Sequence, residues 1–207
     1  MNAAGSLFVI AAPSGAGKTT LVKALVEGNP DLRFSISYTT RAKRKTEEHG
    51  RDYFFVTKDE FLKLEQQGEL LESAVVFDNL YGTSRSQVEK HLAGGDHVIL
   101  EIDWQGAQQV RASMPGCVSI FILPPSRAEL EKRLRGRRTD SDGVIARRLA
   151  DAVGDMSHWE EFDYVIVNDE LEVAVDELEA ILAGNGEENL TSNPKIRARI
   201  ENMMVLP

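Results

Sequence analysis

Leu7-Phe8-Val9-Ile10-Ala11-Ala12-Pro13-Ser14-Gly15-Ala16-Gly17-Lys18-Thr19-Thr20 is the stretch on which the fold turns. Its first five residues are a short apolar run rich in strand formers. Its end leads into a helical pattern from Thr19 to Glu27, with Leu21, Ala24 and Leu25 on one face, which Gly28-Asn29-Pro30 stops. The turn between them meets the pattern Gly, four residues, Gly-Lys-Ser/Thr at every position but the first, where Ala12 stands. Glycines let consecutive N–H groups converge on phosphate oxygens in conformations a Cβ would obstruct, and the helix adds its positive dipole end at the same point. The candidate triphosphate-binding residues are therefore Ala12, Pro13, Ser14, Gly15, Ala16, Gly17, Lys18, Thr19 and Thr20. Lys18 offers a point charge to the β- and γ-phosphates and Thr19 a hydroxyl to Mg2+. Alanine at position 12 suits such a loop if it keeps a negative φ. Alone, the motif specifies binding of nucleotide phosphates and not their fate.

Outward from this loop, three more buried-strand candidates follow: Val98–Ile102, Val118–Leu123 and Tyr164–Val167. Helical patterns alternate with them over Ser86–Leu92, Gln105–Ser113, Arg127–Arg137 and Glu172–Leu182. Apolar runs that do not alternate, separated by helices, predict a parallel sheet covered on both faces, a doubly wound α/β core of the P-loop NTPase type. Two segments break the rhythm. Residues 34–85 carry alternating, aromatic-bearing pieces around one helix from Asp59 to Gln66, which predicts a small, mostly antiparallel insertion. Residues 126–157 are charged and helical, as a lid would be. The expected organisation is one domain over 1–183, with core 5–33, 86–125 and 158–183, followed by a tail over 184–207. The tail ends in a short amphipathic pattern (Ile196, Ile200, Met203, Met204), readable as a docked helix or a frayed terminus.

A net charge of −9 argues against nucleic acid or anionic membranes as partners, yet the basic residues cluster. Arg41, Lys43, Arg44 and Lys45 form one group, and eight lysines and arginines fall between Arg127 and Arg148. Local cationic clusters in an acidic chain point to a small anionic ligand. No apolar stretch approaches the roughly 20 residues needed to span a bilayer. The single cysteine, Cys117, suits a reducing cytoplasm and reads as a small buried residue at a strand edge. The four histidines show no metal-ligand spacing, and no Gly-x-Ser-x-Gly elbow supports nucleophilic hydrolysis.

Ser35-Ile36-Ser37-Tyr38-Thr39-Thr40-Arg41, then Arg44, then Gly50-Arg51-Asp52-Tyr53-Phe54-Phe55, Glu72, Asn79-Leu80-Tyr81-Gly82-Thr83 and Glu101-Ile102-Asp103-Trp104-Gln105-Gly106 together resemble the GMP-binding segments of the guanylate kinase family. The likeness runs from about Gly5 to Ala183. It implies phosphoryl transfer from ATP, as co-substrate with Mg2+, to GMP or dGMP, a step of purine nucleotide metabolism. It also implies Ser37, Arg41, Arg44, Tyr53, Glu72, Tyr81, Thr83 and Asp103 as the GMP-binding set. The chemistry is coherent: guanine presents N1–H and its 2-amino group as adjacent donors, which one carboxylate, Glu72, can accept together. Adenine offers no such pair, so AMP would leave a buried Glu72 unpaired. Arg41 and Arg44 can hold phosphate oxygens in bidentate contacts, and Tyr53 and Tyr81 can add hydroxyls.

For the transfer itself the resemblance implies Lys18, Arg41, Arg133, Arg137 and Arg148 as catalytic residues, and Asn168 and Arg137 at the ATP site. A monophosphate oxygen is already anionic, so alignment and charge neutralisation are the expected sources of rate. Glu101 stands where the family more often has Asp, and Arg138 where it commonly has Gly. Two other readings share the scaffold: a kinase for another phosphorylated acceptor, and a non-catalytic phosphopeptide-binding module of the same fold. Glu72 with Ser37 argues against the first, and the intact Gly15-Ala16-Gly17-Lys18-Thr19 against the second. Self-association is left open.

Overall fold

In the computed structural model, which describes residues 5–136 and 142–205, the elements follow in chain order. They begin with β1 (Leu7–Ala11), α1 (Lys18–Gly28), β2 (Leu32–Phe34), β3 (Tyr38–Thr39), β4 (Phe54–Phe55) and α2 (Lys58–Gln66). Next come β5 (Leu70–Val76), β6 (Asn79–Ser84), α3 (Arg85–Ala93), β7 (His97–Glu101), α4 (Trp104–Ser113) and β8 (Val118–Leu123). The series closes with α5 (Arg127–Gly136), α6 (Asp142–Met156), β9 (Tyr164–Val167), α7 (Leu171–Leu182) and α8 (Pro194–Val205). A five-stranded sheet has the order β2-β7-β1-β8-β9, so the chain passes from β1 to the β2 edge, returns through β7 and continues on the other side of β1 through β8 to β9. This is the doubly wound sheet expected from the sequence. Its apolar runs are buried end to end in β1, as strands covered on both faces must be. The loop after β1 leaves the carboxyl end of the strand at which the order reverses, where open α/β sheets bind their ligands.

The chain divides into two compact units, one built from Pro30–Val118 with the segment before Ile10, the other from Ile10–Asn29 with the segment after Val118. In the first, β2 pairs in parallel with β7, Phe34 facing Ile99. The sequence assigns Phe34 to the insertion; it closes a parallel strand instead, because three residues of β2 find their partners on β7. A second sheet, β4-β3-β6-β5, follows. Its β3–β6 and β5–β6 pairs are antiparallel and its β3–β4 pair parallel, so the insertion is mostly antiparallel, as expected. The β5–β6 hairpin turns through Phe77 and Asp78, both at positive φ (47° and 66°), which matches the strand twist at a two-residue turn. Helix α2 starts on a capping box between Thr57 and Glu60, and its Phe61 is fully buried.

In the second unit β8 and β9 run in parallel, and Ser119 pins their start by donating from N and Oγ to Asp163 Oδ2 at 2.8 and 2.7 Å. The tail docks as a helix. Leu190 bridges to Tyr164, Pro194 opens α8 with the φ that suits a first helical position, and Ile196 and Ile200 are buried. Arg197 lies over the Trp159 ring and donates to Glu160 at 2.9 Å. Cys117 is half-buried just before β8, less enclosed than its sequence setting suggests.

Candidate functional site

The phosphate loop belongs to the second unit. Gly15 and Gly17 take φ of 95° and 93°, conformations that L side chains rarely adopt. Ala12 is not among the positive-φ residues, which is why alanine is tolerated where the pattern has glycine. Gly17 caps α1 without a side chain, so no capping hydroxyl or carboxylate takes the first amides of the helix. Its missing Cβ also makes room: one built there would stand 2.4 Å from Asn168 Nδ2. Lys18 and Thr19 open the helix, Thr19 and Thr20 exposed and Lys18 half-buried.

Three residues that the sequence connects with ATP converge on this loop. Asn168, directly after β9, donates from Nδ2 to the Ala16 carbonyl at 2.7 Å and is buried. Arg133, on α5, donates to the same carbonyl at 3.4 Å and to the Asn168 carbonyl at 3.1 Å. Glu129 holds the other side of that guanidinium at Nε, 3.1 Å away. Arg148, on α6, donates from Nη2 to Ser14 Oγ at 2.8 Å. Leu130 and Leu134 of α5 pack so near Gly15 that a Cβ there would come within 2.9 and 3.0 Å of their methyls. Arg137 and Arg138 lie outside the described residues.

The residues that the resemblance implies for GMP belong to the first unit and fall into two clusters. In one, Glu72 and Thr83 are directly opposed on β5 and β6, both buried, and Thr83 Oγ1 donates to Glu72 Oε1 at 2.7 Å. Tyr38 is paired with Gly82, so extending that register by one residue sets Ser37, also buried, opposite Thr83. Ser37, Thr83 and Glu72 thus form a line across three strands. Asp103 caps α4, accepting from Gly106 N at 2.8 Å and from Gln105 Nε2 at 3.0 Å. Glu72 Oε2 reaches the same turn, 2.5 Å from where a Gly106 Cβ would be. A carboxylate at a helix N-terminus is stabilised there by the dipole. Helix α4 is held to β5 by Gln109, which accepts from Ser73 N at 3.0 Å and donates to Ser73 O at 2.7 Å.

In the other cluster Arg41 lies over the rings of Tyr53 and Phe55, at 5.4 and 5.8 Å, and the Tyr53 and Tyr81 rings meet edge to face at 6.0 Å. Burial, and then the negative charge of Glu101, push the Tyr53 hydroxyl up to about 12, which keeps it a proton donor across the physiological range. Glu101 therefore acts on the Tyr53 hydroxyl of this cluster. Arg44 is mostly exposed.

Sequence reasoning missed Glu47 and quoted Gly106 only as part of a motif, without a role of its own. Arg41 donates through Nη1 to Glu47 Oε2 at 3.1 Å and through Nη2 to Oε1 at 2.8 Å. Burial on its own would push the Glu47 carboxyl up, but the hydrogen bonds from Arg41 and from the Arg44 N–H outweigh it and hold the group below the usual carboxylate range. The available signal was the spacing Arg-x-x-Arg-x-x-Glu over 41–47, hidden by its resemblance to a solvated charge run. Among the described residues no group of three His, Cys, Asp or Glu could hold a metal ion, and no helix is long and apolar enough to cross a membrane.

Known proteins resemble this chain over most of its length. The family model described as guanylate kinase matches residues 4–185. The guanylate kinase of Methylococcus capsulatus is 57% identical over 178 residues, 86% of this chain and 87% of that protein. That of Hydrogenovibrio crunogenus is 56% identical over 182 residues, 88% and 89% of the two chains. The crystal structure of guanylate kinase from Anaplasma phagocytophilum superposes with a TM-score of 0.75 at 35% identity, covering 99% of this chain and 98% of that one.

Proposed function

This chain belongs to the guanylate kinase family, and from that premise we propose that it transfers the γ-phosphoryl group of ATP to GMP, and to dGMP, giving ADP and the nucleoside diphosphate. The observation that carries the choice of acceptor is the buried Glu72, aligned with Thr83 and Ser37 across one sheet. A carboxylate in that position accepts from N1–H and the 2-amino group of guanine, while the hydroxyls of Ser37 and Thr83 complete the base edge. An adenine ring offers no such donor pair, so the buried carboxylate would be desolvated without donors from the base, a cost that rejects AMP. Asp103, beside Glu72 at the α4 N-terminus, takes part in the same recognition.

The GMP phosphate is held by Arg41 and Arg44 with the hydroxyls of Tyr53 and Tyr81. On the donor side, Ala12 to Thr20 cradle the ATP phosphates, and Lys18 neutralises the β- and γ-oxygens. Arg133 and Arg148, anchored on Ala16 and Ser14, bring two further positive charges to that loop, and Asn168 keeps the loop in shape. Arg137 is assigned to the same neutralising role. The donor set fits Mg2+ held mainly by the nucleotide phosphates and water, with the exposed Thr19 hydroxyl as the protein ligand. When bound with ATP, Mg2+ would offset the charge on the phosphate oxygens. No general base is needed, because the attacking oxygen of GMP already carries charge. Exclusion of water around the reacting phosphates protects ATP from hydrolysis.

An acceptor panel tests this reading. With Mg2+ and ATP, GMP and dGMP are converted to diphosphates, and AMP, UMP and dTMP far more slowly. Equal rates across the panel would remove base recognition by Glu72, and no turnover of any acceptor would favour a binding module.

A further inference from the structure

Arg41 has two edges that can each grip an anion with parallel N–H donors. One is formed by Nη1 and Nη2, the other by Nε and the far hydrogen of Nη2. Glu47 occupies the first edge completely, with its two oxygens at 3.1 and 2.8 Å, and the second Nη1 hydrogen is taken by the Ala42 carbonyl at 2.9 Å. The rings of Tyr53 and Phe55 set the height and tilt of the guanidinium but leave it free to turn in its own plane. The two bonds to Glu47, together with those to the Ala42 carbonyl and the Tyr81 hydroxyl, remove that freedom. Both side chains are largely enclosed, 16% and 12% exposed, so the pair is screened less than a surface ion pair. Glu47 also closes the turn before it: its Oε2 accepts from the Arg44 N–H at 2.8 Å, and its own N–H donates to the Arg44 carbonyl at 3.2 Å. The Arg44 guanidinium remains 68% exposed, with Glu47 Oε1 at 3.7 Å.

We propose that Glu47 is a positioning residue for the acceptor phosphate. By filling the Nη1/Nη2 edge of Arg41, it presents the Nε/Nη2 edge to the monophosphate, and by closing the 44–47 turn it holds Arg44 beside it. This rests on the reading of Arg41 and Arg44 as the GMP phosphate anchors. A negative charge next to an anion site is counterintuitive, since Coulomb repulsion alone would weaken binding. Orientation outweighs repulsion here because the guanidinium is stacked and enclosed, and a bidentate grip requires the correct edge.

Calorimetric titration with GMP and with guanosine, which lacks the phosphate, separates the possibilities in the full chain. Glu47→Gln keeps the shape but turns an NH2 donor toward the Arg41 donors, so the fork must rotate away. The expected result is a GMP dissociation constant raised roughly tenfold, the fold-change that follows from losing one charged hydrogen bond. Guanosine affinity and the KM for ATP stay unchanged. Glu47→Asp, which keeps the charge on a shorter arm, recovers part of the loss. Unchanged or tighter GMP binding in Glu47→Gln would overturn the proposal, since that is what a merely repulsive carboxylate predicts. Equal losses for GMP and guanosine would overturn it too, as the sign of a loosened fold. If the unmodified chain bound guanosine and GMP alike, the phosphate-anchor reading itself would fail together with the role of Glu47; a normal unmodified chain with an indifferent Glu47→Gln sinks only the latter.

Discussion

Replacing Gly106 by alanine separates base recognition from folding, because the two respond with opposite tendencies. Gly106 sits in the first turn of α4, where it donates to the capping Asp103. Alanine within a helix is favoured over glycine by roughly 0.5–1 kcal/mol, so the fold gains from the change in isolation. The added Cβ, however, would stand 2.5 Å from Glu72 Oε2, against an ordinary contact of about 3.4 Å or more. The α4 backbone is clamped to β5 by Gln109 and Ser73, so the carboxylate is the part that gives way. A retreat of about 1 Å stretches the bond from Thr83, now 2.7 Å, beyond hydrogen-bonding range and carries Glu72 off the guanine edge. Losing one charge-assisted hydrogen bond to the base costs about 1.5–3 kcal/mol, or roughly 10- to 150-fold in GMP affinity. Steady-state kinetics with varied GMP and varied ATP, beside thermal unfolding, measure both sides. The expected pattern is a raised KM for GMP, a reduced preference for GMP over AMP, an unchanged KM for ATP and a melting temperature within a few degrees of the parent. An unchanged GMP/AMP ratio would refute the placement of Glu72 at the base, and a large drop in melting temperature would refute the claim that the carboxylate, not the helix, yields.

Lys18→Met is expected to abolish turnover while leaving GMP binding in calorimetry intact, as the role proposed for Lys18 at the donor phosphates requires; retained turnover removes that role. Asn168→Ala strips the buried Ala16 carbonyl of its shortest partner at a cost of about 1–3 kcal/mol, so the melting temperature falls by several degrees and the KM for ATP rises more than that for GMP. Tyr53 has its proton held to about 12 in the folded chain and loses it near 10 when unfolded, so its contribution to stability is complete below pH 10 and declines as pH rises toward 12. An ultraviolet phenolate titration of the folded chain therefore shows a late step, at about 12, that is absent from Tyr53→Phe; identical curves for the two proteins would contradict the burial argument.

The parts of this fold that a local pattern determines were readable from the chain. The phosphate loop needs positive φ at 15 and 17, only glycine takes it without strain, and the sequence shows glycine at both. The docked tail was half legible: Pro194 and the Ile196–Ile200 spacing indicate a helix with one apolar face, but not that Trp159 and Asp163 wait beneath it. Phe34 illustrates the opposite case, since its assignment depends on a partner strand more than sixty residues away and not on its neighbours. Glu47 escaped notice for a physical reason as well: one carboxylate among four nearby cations looks solvated until the fold encloses it.

The arginines around the phosphate loop show how far composition can mislead about role. Arg133 and Arg148 were singled out as charges for the transferring phosphoryl, and in the structure each also carries a directed bond to the loop itself, to Ala16 O and to Ser14 Oγ. A cation that only neutralised charge could sit anywhere within a few ångströms and could be lysine. One that must grip a carbonyl or hydroxyl in a fixed direction while carrying its charge has to be arginine, because lysine lacks the planar fork. At Arg41, Glu47 takes one edge, and in the proposal above the acceptor phosphate takes the other. At each of these sites the guanidinium is held by directed bonds to the chain, so replacing any of these arginines by lysine should preserve the charge and lose the alignment.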